Sequence, residues 1–200
     1  MDAHCSALKM GRTYVKSKRA ENEAGTRERI VEAALALHGE IGPARTTVSM
    51  IAERAGVQRH TVYAHFPDER AVLMACSGLH LEREPPPSPA LWETINDPVT
   101  RLRKALAALY AWFGRNEAVF AAVLRDAEHH ALLREIMNER FGVPLGAIAA
   151  SLSPGLEEKG RAALHLAMSF HTWRTLVREA GLAPGTAVGL MASAVLAADA

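Results

Sequence analysis

The sequence predicts an all-α fold: a small N-terminal three-helix head carrying a helix-turn-helix, followed by a larger helical body. Three observations carry that expectation. Ala and Leu are abundant, aromatic residues make up only 6% of the chain, and long alternating Val/Ile/Thr runs are missing, a balance that suits helices better than sheet. Apolar residues recur at spacings of three and four through most of the 200 residues, the period of one helix face. Glycine and proline fall between those periodic segments, where helices stop. Hydrophobic residues reach 49%, enough for a buried core and unlike a disordered chain.

The first helix is expected from Thr26, a candidate N-cap, with Ile30, Val31, Ala34, Leu35 and His38 along one face. Gly39 and Gly42-Pro43 stop it. A second, short helix begins near Thr47, buries Val48, Ile51, Ala52 and Ala55, and ends at Gly56, since glycine tolerates the tight reversal. The third runs from about Gln58 to Phe66. Pro67 breaks it, Asp68 can cap the next helix, and Ala71 to Leu81 reads as that fourth segment. Four prolines between Pro85 and Pro89 cannot lie inside a helix, so the domain boundary is placed there.

Beyond it, Asp97-Pro98 reads as an N-cap with proline at the first helical position, opening a helix to about Arg115. A segment from Glu117 to about Phe141 comes next, with a break expected near Asp126. Shorter helices are expected over Leu145–Leu152 and Thr186–Ala198, with a long one over Glu157–Ala180. The resulting division is a flexible basic arm over residues 1–25, a head over 26–84 and a body over 85–200.

Net charge is +1, with 23 Lys and Arg against 22 Asp and Glu, but the charge is unevenly spread. Lys9, Arg12, Lys16, Lys18 and Arg19 face one acid, Asp2, in the first twenty residues. Such arms track phosphates or enter a minor groove; a solvated tail is the plainer reading.

Thr47 to Phe66 carries the sharpest signal: two short helices, each with one apolar face, around a glycine turn. The second begins with the polar run Gln58, Arg59, His60 and Thr61, at the end of a recognition helix that enters the major groove. Gln can pair with adenine and Arg with guanine through two parallel hydrogen bonds. Tyr63 and His65 lie further along, where a phenol or imidazole can bond phosphate.

Read in full, Thr26 to Leu73 resembles the DNA-binding domain of the TetR family. The matching features are Thr47-Val48, Ile51-Ala52, Ala55-Gly56-Val57, Thr61-Val62-Tyr63 and His65-Phe66. The resemblance implies DNA contacts from Thr47, Gln58, Arg59, Thr61, Tyr63 and His65. His60 stands where the family often has a small residue, and could add a contact or crowd the groove. Glu69 stands where the family commonly has a phosphate-binding lysine, and Arg70 is expected to compensate in part. The resemblance further implies a homodimer built on the last two helices, a palindromic double-stranded operator, and repression relieved by a small-molecule effector. For the effector it points to the middle helices, where Trp112, Phe113, Phe120, Val123, His130, Met137, Met168 and His171 are the candidate lining. Taken alone, each aromatic or methionine among them is more often plain core.

Other classes find less support. Cys5 and Cys76 are too far apart in the chain to suggest a disulfide framework. No stretch approaches the roughly 20 apolar residues of a membrane span and no secretory signal opens the chain, so a cytoplasmic protein is expected. Asp126 and His130, four apart, could share a cation on one helix face, but two ligands do not complete a site. No metal, cofactor or enzymatic activity is expected. The competing class is a helical ligand-binding or interaction protein whose head no longer reads specific DNA, favoured by Glu69 and the near-neutral charge.

Overall fold

The computed structural model describes the backbone of residues 3–198 and the side chains from residue 18 onward, Arg19 excepted. Of the expected basic arm, Lys18 is exposed; the side chains of Lys9, Arg12, Lys16 and Arg19, and all of Asp2, lie outside the described residues. The described residues are helical throughout apart from turns and loops, and no helix among them is long and apolar enough to cross a membrane.

Helix α1 spans Ala3–Glu40, so the arm expected to be flexible is continuous with the helix expected to begin at Thr26. Thr26 does not cap it: its hydroxyl donates to the Asn22 carbonyl at 2.8 Å, a back-bond typical of Thr inside a helix. The Ala, Glu, Lys and Arg residues upstream are good helix formers and supply no stop. Then come α2 (Val48–Ala55), α3 (Arg59–His65) and α4 (Glu69–Arg83). Thr47 caps α2 by accepting from the Met50 amide, and Asp68 caps α4 by accepting from the Ala71 amide. Gly56, at φ 66°, turns the chain from α2 toward α3.

These helices close on one core. Ile30, Ala34 and Leu37 of α1, Ile51 and Ala52 of α2, Val62 and Phe66 at the end of α3, and Val72 and Cys76 of α4 are buried together. Exposed ion pairs brace it from outside, Arg54 to Glu40 at 2.6 Å and Arg83 to Glu32, and Arg27 lies over the Phe66 ring, 4.9 Å from its centre.

The body comprises α5 (Pro98–Arg115), α6 (Glu117–Ala127), α7 (Ala131–Leu152), α8 (Glu158–Ala167), α9 (Phe170–Arg174) and α10 (Pro184–Ala198). Asp97 caps α5 through the Thr100 amide at 2.8 Å, as the Asp-Pro pair implies. The break after α6 falls at residues 128–130, and α7 then runs unbroken through Pro144, so the separate helix expected over Leu145–Leu152 is the second half of α7. The long helix expected over Glu157–Ala180 is interrupted after Ala167. Ser169 restarts it as an N-cap, and a wider, π-type turn succeeds it over Thr175–Glu179.

The proline-rich connector is pinned to the body. Trp92 is fully buried and its indole donates to Ser151 Oγ at 3.0 Å, while Trp112 donates to the Glu84 carbonyl at 3.0 Å. All three tryptophans and four of the five phenylalanines gather in the body core. Phe113 and Phe120 meet edge to face at 5.6 Å, as do Phe113 and Phe170, an arrangement the ring quadrupoles favour.

Head and body meet through polar contacts around a small apolar seam of Leu73, Ala127, Leu133 and Ile136. Asp126, almost fully buried, accepts from the Ala44 amide at 2.9 Å and from Arg125 Nε at 2.8 Å. Arg125 Nη2 in turn donates to the Ile41 carbonyl at 3.1 Å. The α1–α2 loop is thereby held by the last turn of α6. Gly42 makes the approach possible: its φ is 93°, and a Cβ there would collide with both Asp126 Oδ2 and Arg125 Nη2.

Candidate nucleic-acid interface and effector cavity

The head presents its expected polar residues on and beside α3. Gln58, the residue before the helix, makes no capping bond with its side chain, and Gln58, Arg59, His60 and Tyr63 are exposed. Thr61 and His65 are half-buried. Thr47 is exposed at the start of α2, where its hydroxyl is engaged in the cap. Tyr63 leaves 49% of its surface to solvent, although an aromatic side chain is usually sheltered. Val62 and Phe66 anchor the opposite face of the same helix in the core. The outward set combines a planar guanidinium, an amide and two hydroxyls, which are donors and acceptors suited to base edges and phosphate oxygens.

Glu69 and Arg70 do something the sequence did not reveal. Glu69 Oε1 lies 3.0 Å from His130 Nε2. His130 Nδ1 accepts from the Leu133 amide at 3.3 Å and so caps α7. An accepting Nδ1 carries no proton, which makes Nε2 the donor to Glu69. Arg70 reaches Glu135 at 2.8 Å and Glu139 at 2.7 Å on α7. The Arg70 guanidinium, expected to compensate in part for Glu69 at the DNA, is engaged here by two carboxylates of α7. Both residues at the start of α4 tie the head to the body.

In the body, a cavity of about 540 Å³ opens between α5, α6, α7, α8 and α9. Of the eight residues expected to line it, Phe113, Phe120, Met137, Met168 and His171 do so. Val123 instead faces a smaller void of about 50 Å³ beneath the joint with the head, which Phe120 and Met137 also border. Trp112 and His130 border neither. Trp112 is spent on packing and on its bond to Glu84. His130 is spent on capping α7 and meeting Glu69. The expectation also missed lining residues: Phe141, Leu145 and Phe170 on the apolar side, and Arg161, His165 and Ser169 on the polar side. Exposed charged side chains on a helix give no sequence signal of facing a cavity, which explains the omission of Arg161.

The cation pair imagined from Asp126 and His130 does not form on one helix. Asp126 lies within α6 and His130 precedes α7, each with its own partners. Among the described residues no group of three or more His, Cys, Asp or Glu side chains is placed to hold a metal ion.

Beside the cavity, α8 and α10 pack together and leave apolar surface outside. Leu166 is 57% and Leu190 49% exposed. Ala162 lies one turn before Leu166, and Ala194 one turn after Leu190; both are exposed. The long helix expected over Glu157–Ala180 is therefore not one continuous buried face. Leu166 faces outward, His171 and Thr175 are exposed, and the interruption at Met168–Ser169 shifts the phase of everything after it.

Comparison with known proteins gives one family match, in the head. Residues 30–76 match the model of the tetR family of bacterial regulatory proteins. No curated protein matches the chain. Among solved structures, a transcriptional regulator from Rhodococcus sp. Rha1 is similar at 21% identity and a TM-score of 0.61, over 86% of this chain and 96% of that one. The fatty acid degradation regulator FadR from Bacillus halodurans is similar at 18% and 0.62, over 86% and 94%. FadR from Bacillus subtilis, in complex with stearoyl-CoA, is similar at 19% and 0.58, over 86% and 97%. At these identities the likeness is one of fold.

Proposed function

We propose that this chain, whose residues 30–76 match the tetR family of bacterial regulatory proteins, is a DNA-binding transcriptional regulator of that family, a cytoplasmic homodimeric repressor released by a small-molecule effector. The observation that carries the proposal is the pairing of an exposed polar recognition helix with an apolar cavity in one chain. Thr47, Gln58, Arg59, His60, Thr61, Tyr63 and His65 would contact the operator. Gln58 and Arg59 would read bases, and Tyr63 and His65 would fix the docking on phosphates. A second copy would cover the exposed faces of α8 and α10 around Leu166 and Leu190. Two heads related by a two-fold axis suit a palindrome whose half-sites lie about 34 Å, one helical turn, apart.

The effector would occupy the cavity through Phe113, Phe120, Met137, Met168 and His171, and the structural likeness to a regulator holding stearoyl-CoA suits a ligand with a long apolar part. Effector release requires different affinities for the ligand in the DNA-bound and free states. The Arg70 ion pairs to α7 and the hydrogen bond that Glu69 accepts from the cap of α7 would supply a physical link, since α7 also walls the cavity.

Selection of genomic fragments by the purified protein, in competition with random DNA at physiological salt, tests the proposal. Recovery of a palindrome preferred by about a thousandfold or more is the expected result. Weak binding indifferent to sequence would overturn it and favour the ligand-binding reading of a degenerate head.

A further inference from the structure

The lining of the body cavity separates by chemistry and by position in the chain. Its apolar wall comes from four phenylalanines, Phe113, Phe120, Phe141 and Phe170, with leucines and methionines between them. Its polar side chains, Ser153, Arg161, His165, Ser169 and His171, all come from one stretch of nineteen residues centred on α8. Arg161 and His165 stand one turn apart on that helix, where side chains four apart share a face, and both are exposed. Among the described residues no Asp or Glu lines the cavity.

The geometry points to an effector with an apolar, chain-like body and a single anionic end, its charge held at the cavity mouth by Arg161 and His165. This rests on the reading of the cavity as the effector site. A charge taken into the phenylalanine-lined interior would lose its water without replacement, so the charged end stays at the exposed lip while the chain fills the interior. Among the described residues the lining supplies the fixed positive charge of Arg161 and no carboxylate, which favours an anion over a cation. Arg161 Nη1 already donates to the Leu156 carbonyl, which steadies the side chain. A guanidinium carries five N–H donors in a planar fork, so this bond leaves capacity for carboxylate or phosphate oxygens. The cavity volume of about 540 Å³ falls in the range of roughly 300–1,000 Å³ that takes whole small molecules.

Two sources share this chemistry, a free aliphatic carboxylate and an acyl thioester whose carrier bears phosphates. Calorimetric titration of the full chain distinguishes them. The probes are saturated carboxylates of increasing length, the matching alcohol and methyl ester, and the matching acyl-CoA, all below micelle-forming concentrations. Nile red serves as a neutral apolar probe.

Affinity is expected to rise about fourfold per added methylene (about 0.8 kcal/mol, at 1.4 kcal/mol per tenfold) until the cavity is full. The anionic ligand should exceed its alcohol by about tenfold or more, and Arg161→Ala should erase that margin while Arg161→Lys keeps part of it. Preference for the acyl-CoA over the free acid identifies the thioester, and the reverse identifies the carboxylate; either supports the inference. If the alcohol binds as tightly as the carboxylate and the acyl-CoA, or if Arg161→Ala weakens all probes alike, the anionic end is wrong although the cavity still binds. If neither Nile red nor any chain compound binds, the effector reading of the cavity falls and this inference falls with it.

Discussion

Replacing Asp126 by alanine should loosen the head from the body. The Asp126 side chain is only 7% exposed, and its two oxygens accept from the Ala44 amide and from Arg125. Its removal strips the α1–α2 loop of a charge-assisted hydrogen bond and frees Arg125, which also holds the Ile41 carbonyl. A hydrogen bond to a charged group contributes about 1.5–3 kcal/mol. For a chain of this size each kcal/mol shifts the melting temperature by about 2–4 °C, so a drop of about 3–12 °C is expected, read by circular dichroism. Asp126→Asn keeps one acceptor and should lose about half as much. Gly42→Ala should be at least as damaging as Asp126→Ala, because it combines a left-handed φ with a Cβ that collides with both Asp126 and Arg125. A melting temperature for Asp126→Ala within about 1 °C of the parent, where less than 1 kcal/mol has been lost, would mean that this carboxylate does not hold the joint.

Other contacts give further outcomes. Burial lowers the His38 pKa to about 4, with Asp126 opposing the shift. The unfolded chain therefore takes up a proton near its ordinary value while the native chain does not, and stability falls as pH drops from about 6.5 to about 4. The loss approaches about 3 kcal/mol at the lower limit. His38→Gln should flatten that dependence in urea titrations at stepped pH, whereas an unchanged slope would mean that other groups carry it. In the recognition helix, Arg59→Ala should weaken operator binding about tenfold or more and relax base choice at one position of each half-site, measured by fluorescence anisotropy on a panel of single-base variants. A uniform loss across the panel would make Arg59 a phosphate contact. Arg70→Ala combined with Glu69→Ala should leave effector affinity measurable in the body but reduce its effect on DNA affinity; an unaltered coupling would remove these contacts from the link.

The elements that local chemistry determines were legible in the sequence. Thr47, Asp68 and Asp97 announce helix starts by their own cap bonds, and Gly56 announces a turn by its backbone freedom. The core face of Val62 and Phe66 is readable from spacing alone, and that spacing fixes which side of α3 remains outside. Features that depend on tertiary partners were not legible. Thr26 looks like a cap, but only the helical residues before it decide otherwise. Pro144 suggests a break that α7 does not make, because a packed helix can tolerate a missing amide. His130 and Trp112 have the side chains of a ligand site, yet their hydrogen bonds go to Glu69, Leu133 and Glu84. Arg161 is the converse case, an ordinary surface cation by pattern that stands at the cavity lip.

Whether a dimer of this chain reads DNA through α3 can be decided by a footprint of the purified protein on its selected DNA, taken in parallel with the Arg59→Ala variant. Two protected half-sites related by a two-fold axis are expected, their centres separated by one or more helical turns of about 34 Å. Protection should be lost in the variant at concentrations that saturate the parent. A single protected patch, or protection indifferent to Arg59, would contradict a dimeric regulator that reads DNA through this helix.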